Sequence, residues 1–263
     1  MTYPLSHFKA IPELKLPSEI LNIQAFGFSQ VKTKQDSTAT VPNIILGKQA
    51  EFLFSETIKA ASNFKILSEN IQVNHNKITI GELDYLIKDK NTSKTIHVEL
   101  ACKFYLLKSD EHETLEGQWI GPNLKDTLRD KLIKFKQSQF PLLEHVATKE
   151  ILSSLNISEE IEQKYCIKAA LFIPESFSKT LPDHYKNCVV GVWKKHHNLK
   201  LNREAKYAIP SKREWLLPMD KIVDWHTSEH IFKLINEQIL QKKSPLIYEK
   251  NGETVTPFFV VWW

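Results

Sequence analysis

The segment 78–106 constrains this chain most. Two β-like runs, Ile78–Lys88 and Lys94–Leu106, flank the polar turn Asp89-Lys90-Asn91-Thr92-Ser93 and read as an antiparallel hairpin. Successive side chains of a strand point to opposite faces. One face therefore gathers Leu83, Tyr85 and Ile87 with Val98, Leu100, Cys102 and Phe104, and this apolar side is expected in the core. The other gathers Glu82 and Asp84 with His97, Glu99, Ala101 and Lys103. A turn symmetric about Asn91-Thr92 sets Asp84 opposite Glu99 and Glu82 opposite Ala101. Opposed side chains have Cβ atoms about 4.5–5.5 Å apart, where like charges destabilise a sheet. A divalent cation would offset that repulsion, and hard oxygen ligands suit Mg²⁺ or Mn²⁺. The plainer reading of the same face is the solvated side of a half-buried sheet.

Around the hairpin, Leu46, Ala50, Leu53, Phe54, Ile58 and Ala61 recur at three- and four-residue spacing, which predicts an amphipathic helix. Glu51 borders its stripe one turn after Gly47, whose missing side chain would let the helix approach the sheet closely. Glu69–Val73 is a further β-like run before the hairpin. After it, the acidic stretch Ser109–Gln118 leads to Trp119-Ile-Gly-Pro-Asn123. Asn123 is the expected N-cap of a second helix, which runs to about Gln139 on the stripe Leu124, Leu128, Leu132 and Phe135. Cys166–Ile173 reads as a buried strand. The order is α-β-β-β-α-β with a helical insert before the last strand, an α/β fold with a mixed central sheet. Residues 1–46 read as an extended N-terminal arm, 47–175 as the core, and 176–263 as a C-terminal elaboration packed on it. That elaboration is expected to hold strands near Cys188–Trp193 and Lys206–Ile209, a helix from about Met219 to Lys242, and an apolar tail. No Gly/Ser-rich linker separates the halves, so residues 1–263 are expected to form a single domain.

Composition narrows the function classes. At 263 residues with 42% hydrophobic, 25% charged and 10% aromatic side chains, the chain is of ordinary globular type. No apolar run approaches the roughly 20 residues a spanning helix needs, so no membrane association is expected. The opening Met1-Thr2-Tyr3-Pro4 lacks a charged and apolar leader, so a cytoplasmic location is expected. Cys102, Cys166 and Cys188 are widely spaced, without a C-x-x-C pair, and read as buried thiols. The net charge of +4 arises from 35 basic and 31 acidic residues, of which only Arg129, Arg203 and Arg213 are arginines. Forked reading of base edges thus has few candidates, whereas lysines contact phosphates as point charges.

Four segments carry a family resemblance: Gly47-Lys-Gln-Ala-Glu51, Gly81-Glu-Leu-Asp84-Tyr-Leu, Val98-Glu99-Leu-Ala-Cys-Lys103-Phe-Tyr-Leu106 and Trp119-Ile-Gly-Pro-Asn123. In order and spacing over residues 45–140 they resemble a bacterial family, domain of unknown function 1853, identified as a member of the PD-(D/E)XK nuclease superfamily. The resemblance implies a restriction-endonuclease-like fold and metal-dependent, sequence-nonspecific hydrolysis of phosphodiester bonds in DNA. It assigns catalytic roles to Glu51, Asp84, Glu99 and Lys103. Asp84 and Glu99 would hold the Mg²⁺ or Mn²⁺, with Glu51 or Glu82 in support. The superfamily pattern is carboxylate-x-lysine, but position 101 is alanine and Glu99 lies four residues before Lys103. On a regular strand their α-carbons are then about 13 Å apart instead of about 7 Å. The alternative is therefore a degenerate relative that binds nucleic acid or protein without cutting.

Two further constellations stand out. Lys125, Arg129 and Lys131 on the second helix, and Lys194, Lys195, Arg203, Lys212 and Arg213 between Trp193 and Trp215, form candidate phosphate contacts, with aromatic side chains interleaved in the second group. A solvated lysine-rich edge is the competing reading. His226-Thr-Ser-Glu-His230 matches H-x-x-E-H, in which two histidines on one helical face hold zinc, the basis of a remote zinc-hydrolase alternative. No G-x-S-x-G elbow or phosphate-cradling glycine loop occurs among the seven glycines, which speaks against acyl transfer and nucleoside triphosphate hydrolysis.

Overall fold

The computed structural model describes residues 2–34, 36–108, 114–221 and 224–263. The first half of the acidic stretch 109–118 lies outside the described residues. In chain order the strands are β1 (Thr2–Pro4), β2 (Gln24–Ala25), β3 (Thr38–Thr40), β4 (Phe64–His75), β5 (Ile78–Asp89), β6 (Thr95–Leu107), β7 (Trp119–Ile120), β8 (Ile161–Pro174), β9 (Val189–Lys195), β10 (Lys206–Ala208), β11 (Leu246–Asn251) and β12 (Thr254–Val261). The helices are α1 (Leu5–Ala10), α2 (Leu46–Lys59), α3 (Leu115–Gln118), α4 (Leu128–Lys134), α5 (Val146–Ser154), α6 (Asp183–Lys186) and α7 (Ser228–Leu240). Ten of the strands belong to one mixed sheet, so the fold is mixed α/β. The chain divides into two compact units interleaved in sequence. The first comprises Met1–Pro42, Gly47–Cys102 and Asp130–Lys168, and the second Asn43–Leu46, Lys103–Arg129 and Ala169–Trp263. Strands β6 and β8 pass from one unit into the other.

In the first unit β4, β5 and β6 form an antiparallel meander. Asn76 and Lys77, at φ of 50° and 65°, make the tight turn between β4 and β5, the pair of left-handed residues that a two-residue hairpin loop requires. The run expected at Glu69–Val73 is thus the middle of a 12-residue strand. On one face of the meander α2 places Phe54 against Tyr85, ring centroids 4.4 Å apart, within an aromatic group that includes Phe26, Phe28 and Phe64. Leu142, Leu143 and Ala147 pack with Ile71, Val73, Leu83 and Leu86 in a second cluster. Val98 and Leu100 are buried as expected, whereas Cys102 is only half-buried. Gly47 differs from expectation: it is exposed, and a Cβ there would meet nothing within 4 Å, so the helix does not depend on its missing side chain.

The second helix begins later than the sequence suggests. Leu124 sits in a left-handed turn at φ 57°, the Asn123 Oδ1 accepts from the Ser244 amide at 2.9 Å instead of capping a helix, and α4 starts at Leu128. Leu128, Leu132 and Phe135 are nevertheless buried, so the apolar stripe holds from its second member. Residues 1–46 are more than an extended arm: they contain α1 and the pair β1–β3, and they bury Phe8, Phe26 and Phe28.

In the second unit β10, β11 and β12 are antiparallel, β12 runs parallel to β9, and β9 parallel to the end of β8. The apolar tail is thus a hairpin, β11–β12, turned at Gly252-Glu253 with Gly252 at φ 59°. Its faces form two cores, one around Trp193, Tyr248 and Phe259 and one around Ile247, Phe258 and Ile231 of α7. No helix among the described residues is long and apolar enough to cross a membrane.

Lys168 of β8 is 0% exposed, and its ammonium donates to the Lys9 and Ile11 carbonyls at 3.0 and 2.9 Å and to Glu13 Oε1 at 3.2 Å. It also lies 4.2 Å from the Phe28 ring centroid. Fully paired, this buried cation ties the N-terminal segment to the sheet. Lys168→Met removes the charge and strands three acceptors, so urea denaturation should show a loss of about 2–4 kcal/mol. A loss below about 0.5 kcal/mol would mean that the segment is held by its aromatic contacts alone.

Candidate active site

The β5–β6 ladder pairs Tyr85 with Val98, Leu86 with His97, Ile87 with Ile96 and Lys88 with Thr95, the phase a turn about Asn91-Thr92 dictates. Beyond Tyr85 and Val98 the main-chain pairing gives way to side chains. The Leu100 amide donates to Asp84 Oδ2 at 2.8 Å, and the Asp84 amide points at Glu99 Oε1 at 3.5 Å. Each carboxylate takes over an acceptor role at the point where the strands part, which fixes Asp84 and Glu99 side by side.

The polar face is not a solvated one. Glu99 and His97 are both 0% exposed. Glu99 Oε1 lies 2.9 Å from His97 Nε2, and its Oε2 accepts from Gln139 Nε2. Gln163 Nε2 donates to the Phe140 carbonyl at 2.8 Å and approaches His97 Nδ1 at 3.4 Å, which leaves Nε2 as the nitrogen that donates to Glu99. Gln139 reaches Glu99 because Phe135–Gln139 is a π-helical segment. The extra residue in that turn brings Gln139 back to the face of Lys131, whose ammonium donates to Gln139 Oε1 at 2.8 Å. Such π segments recur at functional sites.

Around this pair stand the other acids. Lys48 Nζ is 2.5 Å from Glu51 Oε2 and 3.7 Å from Glu82 Oε1, and the hydrogen bond to Glu51 holds its pKa above the ordinary lysine value. The Tyr85 hydroxyl donates to the Glu51 carbonyl at 2.7 Å, pinning α2 at that residue. Burial first, then the charge of Glu99, pushes the Asp84 carboxyl up to about 7. The Leu100 amide and the charge of Lys131 oppose this, and Glu51 adds to it. Glu51, Glu82, Asp84 and Glu99 thus form one acidic cluster balanced by Lys48 and Lys131.

The remaining sequence candidates are placed as follows. Lys103 Nζ is 2.6 Å from Asp126 Oδ2 and lies over the Tyr105 ring. The lysine that acts on Asp84 is Lys131, which the sequence assigned only to phosphate contact. Lys125, Arg129, Lys195 and Arg203 are exposed. Lys194 is paired with Glu175 at 2.8 Å, Arg213 donates to Asn43 Oδ1 at 3.2 Å, and Lys212 lies over Trp215. His226 and His230 do not share a helix: Thr227 caps α7, so His226 precedes it and bridges to Tyr207 through two main-chain bonds. Their rings lie 4.6 Å apart by centroid, but no single helical face carries both, and among the described residues no third ligand completes a metal group.

Gln139, His97 and Lys48 complete the site without having been assigned roles. Gln139 had no legible signal, since its reach depends on the π segment. His97 was visible on the polar face, and Lys48 by its position three residues before Glu51.

Among the described residues no group of three or more His, Cys, Asp or Glu side chains is arranged to hold a metal ion. The site offers a pair, Asp84 and Glu99. A hard-oxygen pair with one carboxyl destabilised in its charged form fits a Mg²⁺-type ion, which takes one or two carboxylates and keeps several waters.

A family model described as Domain of unknown function (DUF1853) matches residues 23–255. The chain belongs to that family. No curated protein and no solved structure matches it. The DUF1853 match takes in residues of both compact units.

The raised Asp84 pKa sets a pH dependence. The native state retains a proton that the unfolded chain has lost, so stability falls as pH rises from about 4 to about 7 and then levels off. Asp84→Asn, which can still accept from Leu100, should remove this slope and melt on the order of 5 °C above the wild type at pH 8, with no difference near pH 3. Parallel melting curves for the two proteins between pH 4 and 8 would refute the assignment.

Proposed function

We propose that this DUF1853 protein is a Mg²⁺- or Mn²⁺-dependent nuclease of the PD-(D/E)XK type that hydrolyses phosphodiester bonds in DNA without sequence preference. The observation that carries the reading is the buried Asp84–Glu99 pair, locked by main-chain amides and left with unrelieved like charge. A structural sheet position gains nothing from two adjoining acids, whereas a divalent-ion site requires them. When bound there, the ion supplies Lewis-acid polarisation of the phosphate and a nucleophile available at neutral pH.

The chain's own residues supply the rest. Asp84 and Glu99 would hold the ion, and His97 and Gln139 keep Glu99 from rotating. Lys131 would offset charge accumulating on the phosphate oxygens. Glu51, at the border of the cluster, would support the ion or accept a proton from the attacking water. Lys103, expected in the lysine role, is committed to Asp126 and is not needed for it.

The second reading, a non-catalytic binding module on the same core, draws on Ala101 in place of the usual carboxylate and on the ion pair between Lys48 and Glu51. The two separate in one experiment with linear, circular and single-stranded DNA. Cleavage should require Mg²⁺ or Mn²⁺, vanish in Asp84→Ala and fall about 10²-fold or more in Lys131→Ala. Millimolar Mg²⁺ should raise the melting temperature of the wild type but not of Asp84→Ala. Cleavage that persists in Asp84→Ala would remove the site, and absence of both cleavage and a metal-induced shift would establish the binding module.

A further inference from the structure

The second unit carries a surface that the acidic cluster does not use. Register places Lys206 of β10 directly opposite Lys250 of β11, and alternation puts both on the face that bears Ala208 and Tyr248. Opposed like charges about 4.5–5.5 Å apart at Cβ cost a sheet stability. Among the described residues no carboxylate lies within ion-pair distance of Lys206, Lys250 or nearby Lys212. Glu249, next in sequence, is on the opposite face and hydrogen-bonds with Tyr207.

Two of these ammonium groups lie over indoles instead. Lys250 Nζ is 5.8 Å from the Trp225 ring centroid, and Lys212 Nζ is 5.6 Å from that of Trp215. Trp215 is wedged between Phe104, at 5.0 Å, and Phe259, at 5.2 Å and 79°, so its plane is fixed, and its Nε1 is buried without a hydrogen-bond partner. Both tryptophans are half-buried.

Positive charge that no carboxylate among the described residues pairs, beside indole rings, calls for a ligand that has both phosphates and planar groups free to stack. A duplex hides its base faces in the helical stack, whereas a single strand presents them. A lipid surface supplies the charge without the planar groups. We infer that this face binds single-stranded nucleic acid, with phosphates on Lys206, Lys250 and Lys212 and bases on Trp215 and Trp225. The inference is independent of the acid pair, since it requires neither metal nor cleavage.

The test uses full-length protein in EDTA with a labelled oligo(dT) of about 20 nucleotides, a duplex of equal length, and phosphatidylserine vesicles. The strand should bind roughly tenfold more tightly than the duplex. Lys206→Gln/Lys250→Gln should lessen the log–log salt slope by about 1.4, as loss of two single-strand phosphate contacts requires. Lys179→Gln/Lys186→Gln, an equal charge change elsewhere on the unit, should leave the slope unchanged. Trp215→Leu/Trp225→Leu should weaken strand binding about tenfold without altering the slope. The inference is overturned if the first lysine pair behaves like the control pair, if duplex binds as tightly as strand, or if vesicles are bound and the oligonucleotide is not. The lysine variants keep their aliphatic stems and the fold, so they decide the matter even if the tryptophan variant is unstable.

Discussion

Complete burial of Glu99 beside Asp84 is the interaction on which the rest of the first unit depends. A carboxylate without exposure must have its oxygens satisfied from within the protein. Here the donors come from three separate stretches of chain: His97 on the same strand, Gln139 at the end of a π-helical segment, and the Asp84 amide across the hairpin. Each donor is itself constrained, Gln139 by Lys131 and His97 by Gln163. The polar network therefore specifies where α4 and its continuation lie on the sheet. A purely apolar contact between the same elements would tolerate sliding.

The network is satisfied around Glu99 and unsatisfied in charge at Asp84. Every hydrogen bond has a partner, yet Asp84 remains a carboxyl that ionises only near neutrality because burial and Glu99 both oppose its charge. Stability sacrificed at one position in an otherwise well-paired structure is what a functional site looks like energetically. Lys168 makes the contrast. It is an equally buried charge whose partners are all supplied by the N-terminal segment, and its role ends in holding that segment in place.

The second unit follows the same logic with opposite sign. Its sheet has one core under α7 and another under tryptophans and loops, and the lysines at the rim of the second have aromatic rings for neighbours in place of acids. Grouping by sequence put Lys194, Lys195, Arg203, Lys212 and Arg213 together. The pleat separates them: Lys194 lies over Phe258 on one face, and Lys212 with Trp215 belongs to the other. The surface that results contains Lys206 and Lys250, whose numbers are far apart and whose register is adjacent.

What the sequence determined by itself was local and periodic. The stripe from Leu46 to Ile58 became α2, the period-two runs became β5 and β6, and the symmetric turn set their register, so Glu51, Asp84 and Glu99 were legible as candidates for one acidic cluster. These features rest on spacings of three, four and two, which depend only on neighbouring residues. Tertiary structure alone decided what covers the polar face of the hairpin, which lysine serves Asp84, and where the second helix begins. Lys131 reaches the site through a π turn and a glutamine eight residues on, and Asn123 leaves its expected cap to bind the Ser244 amide. Both outcomes turn on contacts between segments far apart in the chain, and no periodicity within either segment encodes them.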